Sequence, residues 1–223
     1  MRKSFIIYLI TLLYCSLPIM AQQVQEDETT YIPYAFPQYR KATVTMMFGS
    51  KKEVMGNIYL DGSKFYFLKD SVSIEASLSN IHRVAFGDTL YMPVDTMLAR
   101  IVATDSNKML VCIRTIDKYK MKGCNDGIHG EDKRGEGMAY FQLDMFSSMG
   151  FIELNSDQTD HSKLFPLKRE YFYILNGEIV PAKERPVMKR YTKAQRKVIK
   201  GMTENRFWSW KDENSLIQLL ELL

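Results

Sequence analysis

The chain has 223 residues, with 30 lysines and arginines against 26 aspartates and glutamates, a formal net charge of +4. That near balance excludes the concentrated basic face of a nucleic-acid binder and leaves small ligands and protein partners open. A chain of this length buries a real core, as one domain or as one domain with an appendage.

The first residues, MRKSFIIYLITLLYCSLPIMAQQ, have the order of a secretory leader. Arg2 and Lys3 give a positive start, Phe5 to Leu17 an apolar run, Pro18 a stop, and Ala21 the small residue before a cut. The expectation is a signal peptide over residues 1–21, with the protein exported and periplasmic or associated with the outer membrane. The apolar run is short for a bilayer span of about 20 residues. Cys15 raises a lipid anchor as the alternative, against which stands the bulk of Tyr14 where a small residue is wanted. Removing residues 1–21 takes two basic charges, so lysine plus arginine falls from 30 to 28, the acids stay at 26, and the net charge becomes +2. No later stretch is apolar for long enough to cross a bilayer as a helix.

Residues 22–39 read as a polar, disordered leader, QQVQEDETT, followed by an extended arm, YIPYAFPQY. Its aromatics are expected to lie on the body, because Pro33 and Pro37 bar a regular central strand. From 40 to 182 the pattern predicts an antiparallel β domain: a sheet, a sandwich or a partial barrel. KATVTMMF, EVMGNIYL, SKFYFLKD, SVSIEAS, IHRVAF, TLYMP, MLARIVA and KMLVCIRTI alternate or are β-branched. Asp61-Gly62, Gly87-Asp88 and the TDSN stretch punctuate them as turns. Phe65 and Phe67 should face one way and Lys64 and Tyr66 the other. MAYFQL and FIEL read as short strands, and NSDQTDHS, residues 155–162, as a polar interruption. Asn176-Gly177 should close a tight hairpin between KREYFYIL and EIVPA. The short spacing leaves no room for the helices of parallel crossovers.

Residues 183–223 change period and predict a helical tail. Thr192 and Gln195 have capping-box spacing, with Ala194, Val198, Ile199 and Met202 as the apolar face behind them. NRFWSW reads as extended, anchored by Phe207 and Trp210. Asp212 is a candidate N-cap for a last helix. Leu216, Leu219, Leu220 and Leu223 recur at helical spacing, so that helix is expected to dock on the β core or on the preceding helix.

YFYILNGEIVPA, KRYTKAQRKVIKGM and WSWKDENSLIQLLELL together resemble the C-terminal part of a family of uncharacterised exported β-rich proteins of Bacteroidota-type bacteria. In that family a Tyr-rich strand, an Asn-Gly turn, a Lys-rich helix and a Lys-Asp-Glu-x-Ser/Asp-Leu helix close the chain. The run from Asn57 to Pro93, with Val84, Phe86, Gly87 and Asp88 at a turn, is similar to that family's short strands. The resemblance covers most of the chain after the leader. It implies an envelope location and this architecture, and it implies no reaction.

Chemistry-bearing residues gather in one place, GCNDGIHGEDKRGEG, residues 123–137. It holds Cys124, Asp126, His129, Glu131 and Asp132. The oxygen spacing of a calcium loop is missing, as is a second Cys or His pair for zinc, so no metal or cofactor is expected there. Cys112 and Cys124 leave a disulfide open, against a buried free thiol at Cys112. His82, in a strand, reads as structural. Cys124 with His161 is the one nucleophile pair the residues allow, and no Gly-x-Ser-x-Gly elbow occurs. Tyr171 and Tyr173 share a strand face, to stack a sugar or peptide or, as expected, to pack under the C-terminal helices. Lys183, Arg185, Lys189, Arg190, Lys193, Arg196, Lys197 and Lys200 read as a solvated basic face, with an anionic membrane surface as the weaker alternative.

The functional expectation is an exported cell-envelope protein acting as a non-enzymatic binding or accessory module. Its partner is an envelope protein or a small ligand, and not a nucleic acid. The alternative is a hydrolase of glycan or peptide. No catalytic residue, ligand or oligomeric state follows from the residues.

Overall fold

The computed structural model describes residues 28–123 and 165–223. The expected leader with Cys15, most of the glycine-rich loop with Cys124 and His129, the strands expected at 138–143 and 151–154, and His161 lie outside the described residues.

The described residues form a curled, half-barrel antiparallel sheet followed by short C-terminal helices, the mainly β fold with a helical tail that the residue pattern predicts. The strands are β1 (Thr29–Thr30), β2 (Arg40–Met46), β3 (Lys51–Tyr59), β4 (Lys64–Lys69), β5 (Val72–Glu75), β6 (Ile81–Phe86), β7 (Thr89–Val94), β8 (Met97–Asp105), β9 (Lys108–Ile116), β10 (Phe165–Leu175) and β11 (Glu178–Pro181). The helices are α1 (Lys118–Gly123), α2 (Glu184–Met188), α3 (Lys193–Thr203) and α4 (Glu213–Leu222). Across the sheet the order is β1-β10-β9-β8-β7-β6-β2-β3-β4-β5, with β11 beside β10.

Turn chemistry sets the hairpins. Asn176 and Gly177 both take positive φ, +52° and +83°, and close β10 onto β11 in two residues. Gly87, at φ +59°, does the same between β6 and β7. The Asp61-Gly62 hairpin forms with a wider link than a two-residue turn: Tyr59 pairs with Lys64, and Gly62 and Ser63 both take positive φ.

That wider loop bends the sheet back on itself. Leu98 N–H donates to Ser63 O at 2.8 Å, and Ile116 N–H donates to Leu60 O at 3.1 Å. Ser63 Oγ, buried, donates to Leu98 O at 2.6 Å. Lys118 of α1 adds an ion pair to Asp61 at 2.8 Å. The concave face so formed holds Ala42, Val44, Ile58, Phe65, Val84, Phe86 and Leu98. The opposite face carries a separate cluster around Ala99, Val111, Ile113 and Ile174.

The arm closes the concave face at one end. Ala35 N–H donates to Ile58 O at 2.9 Å and Leu60 N–H to Pro33 O at 2.8 Å, so residues 33–35 run beside β3. Tyr34 is 3% exposed, and its ring lies 5.2 Å from that of Tyr59. The kink between arm and β2 is held by Asn57, fully buried. Its amide donates to Phe36 O at 2.9 Å and accepts from Phe36 N–H at 3.2 Å.

The helices close the other end. Leu216, Leu219 and Leu220 are buried against Leu110, Tyr171 and Tyr173. Thr192 and Gln195 form the expected capping box, and Asp212 caps α4 through Ser215 N–H at 2.7 Å. Two expectations fail here. On α3 only Ile199 and Met202 reach the core, while Ala194 and Val198 face outward, because the helix touches the body along one line of i, i+3 contacts. The NRFWSW segment turns rather than extends: Phe207 N–H donates to Asn205 Oδ1 at 3.1 Å, and Phe207 is 72% exposed. Trp208 shares the anchoring with Trp210, their rings edge-on at 5.6 Å against the core. The short helices α1 and α2 carry no helical period long enough to read. Pro186 fits α2 because it lies in its first turn.

Candidate functional site

In β9, Leu110, Cys112, Arg114 and Ile116 share one face by alternation. All but Arg114 are buried apolar residues, so an arginine stands on the inward phase of the strand. The neighbours repeat the pattern. In β8, Arg100 lies beyond Leu98 and pairs directly with Cys112. In β10, Arg169 follows Leu167 and precedes Tyr171, and it pairs directly with Arg114.

The sheet thus sets three guanidinium groups side by side on its concave face, between the arm and the N-terminus of α4. They line a cavity of about 440 Å³ together with Glu28, Tyr91, Cys112 and Glu213. Like charges directly opposite one another in a sheet destabilise it. Arg114 and Arg169 are such a pair, and one carboxylate bridges them. Glu28 accepts from Arg114 Nη2 at 2.5 Å and from Arg169 Nε at 2.6 Å. That bond holds the Arg169 guanidinium charged more firmly still. Glu213, in the first turn of α4, accepts from Arg100 Nη2 at 2.5 Å and from the Tyr171 hydroxyl at 3.2 Å.

The charges do not cancel. Three arginines face two glutamates, which leaves one positive charge among the groups lining the cavity. Arg114 Nε is buried and has no hydrogen-bond partner among the described residues. The side chains of Arg100, Arg114 and Arg169 keep about a third or more of their surface open to water. A solvent-open cavity with surplus guanidinium charge is chemistry for holding a carboxylate or phosphate group.

Burial pushes the Cys112 thiol up, with Arg100 pulling the other way, so it stays protonated at neutral pH. Burial likewise pushes the Tyr171 hydroxyl well above its ordinary range, so it is a hydrogen-bond donor there. No group of three or more His, Cys, Asp or Glu residues able to hold a metal occurs among the described residues.

No protein-family model, no curated protein and no solved structure matches this chain. The site therefore rests on its own geometry.

The residues singled out by sequence fall elsewhere. Cys124, His129 and His161 lie outside the described residues, and Cys112 is a buried free thiol. His82 is exposed on β6. Tyr171 and Tyr173 form no solvent-facing row. They are buried under the C-terminal helices, where the Tyr173 hydroxyl donates to Leu216 O at 2.9 Å. In the basic tail Arg190 pairs with Glu178, and Arg196 Nε donates to Tyr191 O at 2.7 Å. The sequence reading does not single out Arg100, Arg114 and Arg169, because each stands inside a run whose pattern reads simply as a strand. The signal was present: a charged residue in phase with buried ones. Among the described residues no helix is long and apolar enough to cross a membrane, which says nothing of a β-barrel.

Proposed function

We propose that this protein is a non-enzymatic binding module, exported and working in the cell envelope, whose arginine-lined concavity holds an anionic group of its ligand. One observation carries the reading: Arg114 and Arg169 face each other directly across the sheet and share a single carboxylate. A fold that needed only stability would place apolar residues on this inward phase, since paired charges rarely outperform packing there. Arginine is the residue suited to planar, two-point recognition of carboxylate or phosphate. The first turn of α4, whose Asn214 lines the cavity, adds the positive end of a helix dipole.

The test is calorimetric titration of the chain with inorganic phosphate and with a dicarboxylate such as succinate, at low and high salt. Saturable one-to-one binding that weakens with salt is expected, with a loss of about tenfold in Arg114→Met, the scale of one charge-assisted hydrogen bond. Binding left unchanged in Arg114→Met would overturn the assignment. Amino-terminal sequencing of the chain from the cell envelope tests the export half, with Gln22 as the expected first residue.

A further inference from the structure

The link between β2 and β3 is a three-residue hairpin loop. Met46 N–H donates to Ser50 O at 2.8 Å and Gly49 N–H to Met46 O at 2.9 Å, with Gly49 at φ +82°. This is a turn closed by a glycine bulge, and its geometry asks only for the glycine. The two central positions, Met47 and Phe48, are the kind that polar residues commonly fill. Here both are large and apolar, and they bury little: Met47 is 59% exposed and Phe48 99%. Phe48 therefore adds nothing to the core. Met47 N–H donates to Asn80 O at 3.0 Å, which fastens the turn to the segment entering β6.

Charge beside this tip is one-sided. No aspartate or glutamate occurs in residues 42–52 or 76–87. Thr45 pairs with Lys51 on one side and with Arg83 on the other, so the two cations flank it on one face of the sheet. Lys52 follows, exposed. Lys51, Lys52 and Arg83 make no ion pair among the described residues. Glu53, next along β3, is held by Lys41 at 2.8 Å. Asp70 and Asp95 stand in the β4–β5 and β7–β8 turns at the same end of the sheet, and Lys69 adjoins Asp70. Four cations thus face two aspartates there.

The shape narrows the choice of partner. A stable protein contact takes about 800 Å² from each side, far more than two side chains on a turn supply. An apolar apex with cations behind it matches the edge of a lipid layer. Apolar and aromatic groups enter the acyl boundary there, and lysine and arginine heads stay among the phosphates. We propose that the β2–β3 hairpin is a membrane-contact tip. Met47 and Phe48 enter the outer part of an anionic phospholipid layer, and Lys51, Lys52 and Arg83 meet its phosphate groups. This contact is independent of the arginine concavity.

Tryptophan placed at the tip tests it. Phe48→Trp in the full chain is mixed with vesicles of phosphatidylglycerol and phosphatidylcholine in equal parts. Its added emission should shift to the blue and be quenched by lipid brominated in the acyl chains. Phe207→Trp, on the exposed aromatic of the tail, should show neither. Adding Lys51→Gln and Lys52→Gln to Phe48→Trp should raise the lipid needed for half of the shift by about tenfold to thirtyfold, since each cation near an anionic surface is worth about fivefold. All variants share residues 1–21, so the apolar leader contributes equally to each. Circular dichroism checks that they fold. No quenching at 48, or equal quenching at 48 and 207, overturns the proposal. Quenching at 207 alone overturns it in favour of the basic tail. Equal quenching at 48 on pure phosphatidylcholine overturns the part given to the cations. A blue shift at 48 that grows with protein concentration in the absence of lipid overturns it in favour of a second copy.

Discussion

Glu28→Gln isolates the electrostatics of the concavity at the cost of one charge. Glu28 is bonded to both Arg114 and Arg169, which oppose each other directly. Without its carboxylate, two unit charges at about 5 Å, the general spacing of directly opposed residues in a sheet, repel by about 3 kcal/mol at an effective dielectric near 20. The two arginine side chains are 36% and 43% exposed, so solvent screening reduces this to about 1–2 kcal/mol. For a domain of this size that lowers Tm by about 2–8 °C. The assay is thermal unfolding at low ionic strength, where screening by salt is least. Phosphate should restore much of the loss by taking the vacant place between the arginines, and sodium chloride at matched ionic strength should restore less. An unchanged melting temperature would refute the reasoning. So would equal rescue by chloride and phosphate, because the arginine pair would then feel only general screening.

Alkali should unfold the protein cooperatively above about pH 10. Burial raises the hydroxyls of Tyr34, Tyr66, Tyr171 and Tyr173 above their ordinary value. Their protonated form is favoured in the fold, so the unfolded chain binds fewer protons there. Stability is full below about pH 10 and falls as pH rises, by about 1.4 kcal/mol per unit for each such tyrosine. Tyrosinate absorbance at these positions should appear together with loss of the β-sheet signal, and tyrosinate appearing in a still-folded chain would contradict this. Gly56→Ala should cost about 1–3 kcal/mol in denaturant unfolding, since a Cβ would meet Phe65 Cε2 at 2.6 Å inside the concave core. Leu219→Ala, at a fully buried position of α4, should cost about 2–5 kcal/mol, and Val198→Ala, exposed on α3, less than about 0.5 kcal/mol.

What could be read from the residues follows from how local each cause is. The Asn176-Gly177 turn, the alternation of Phe65 and Tyr66, the cap at Thr192 and the leucine stripe of α4 are decided within a few residues. All four are found where the pattern puts them. Phe207 and Trp208 were distinguished by one side chain–backbone bond at Asn205, which composition does not reveal. The concavity needed three strands in register, and only the pairing of Arg114 with Arg169 turns single charges into a site. Glu28 is the extreme case. It stands in a polar stretch read as leader and arm, and nothing nearby in sequence points to arginines more than eighty residues away.

The bonds across the bend, from Ser63 to Leu98 and from Leu60 to Ile116, tie the first hairpins to strands far along the chain. Such a sheet has no separable halves. The β3–β4 hairpin is not free to open alone, because peeling its link away also strips a partner from β8 and β9. Damage at one rim is therefore felt across the molecule, and the hollow where the arginines meet keeps its shape for as long as the whole wall stands.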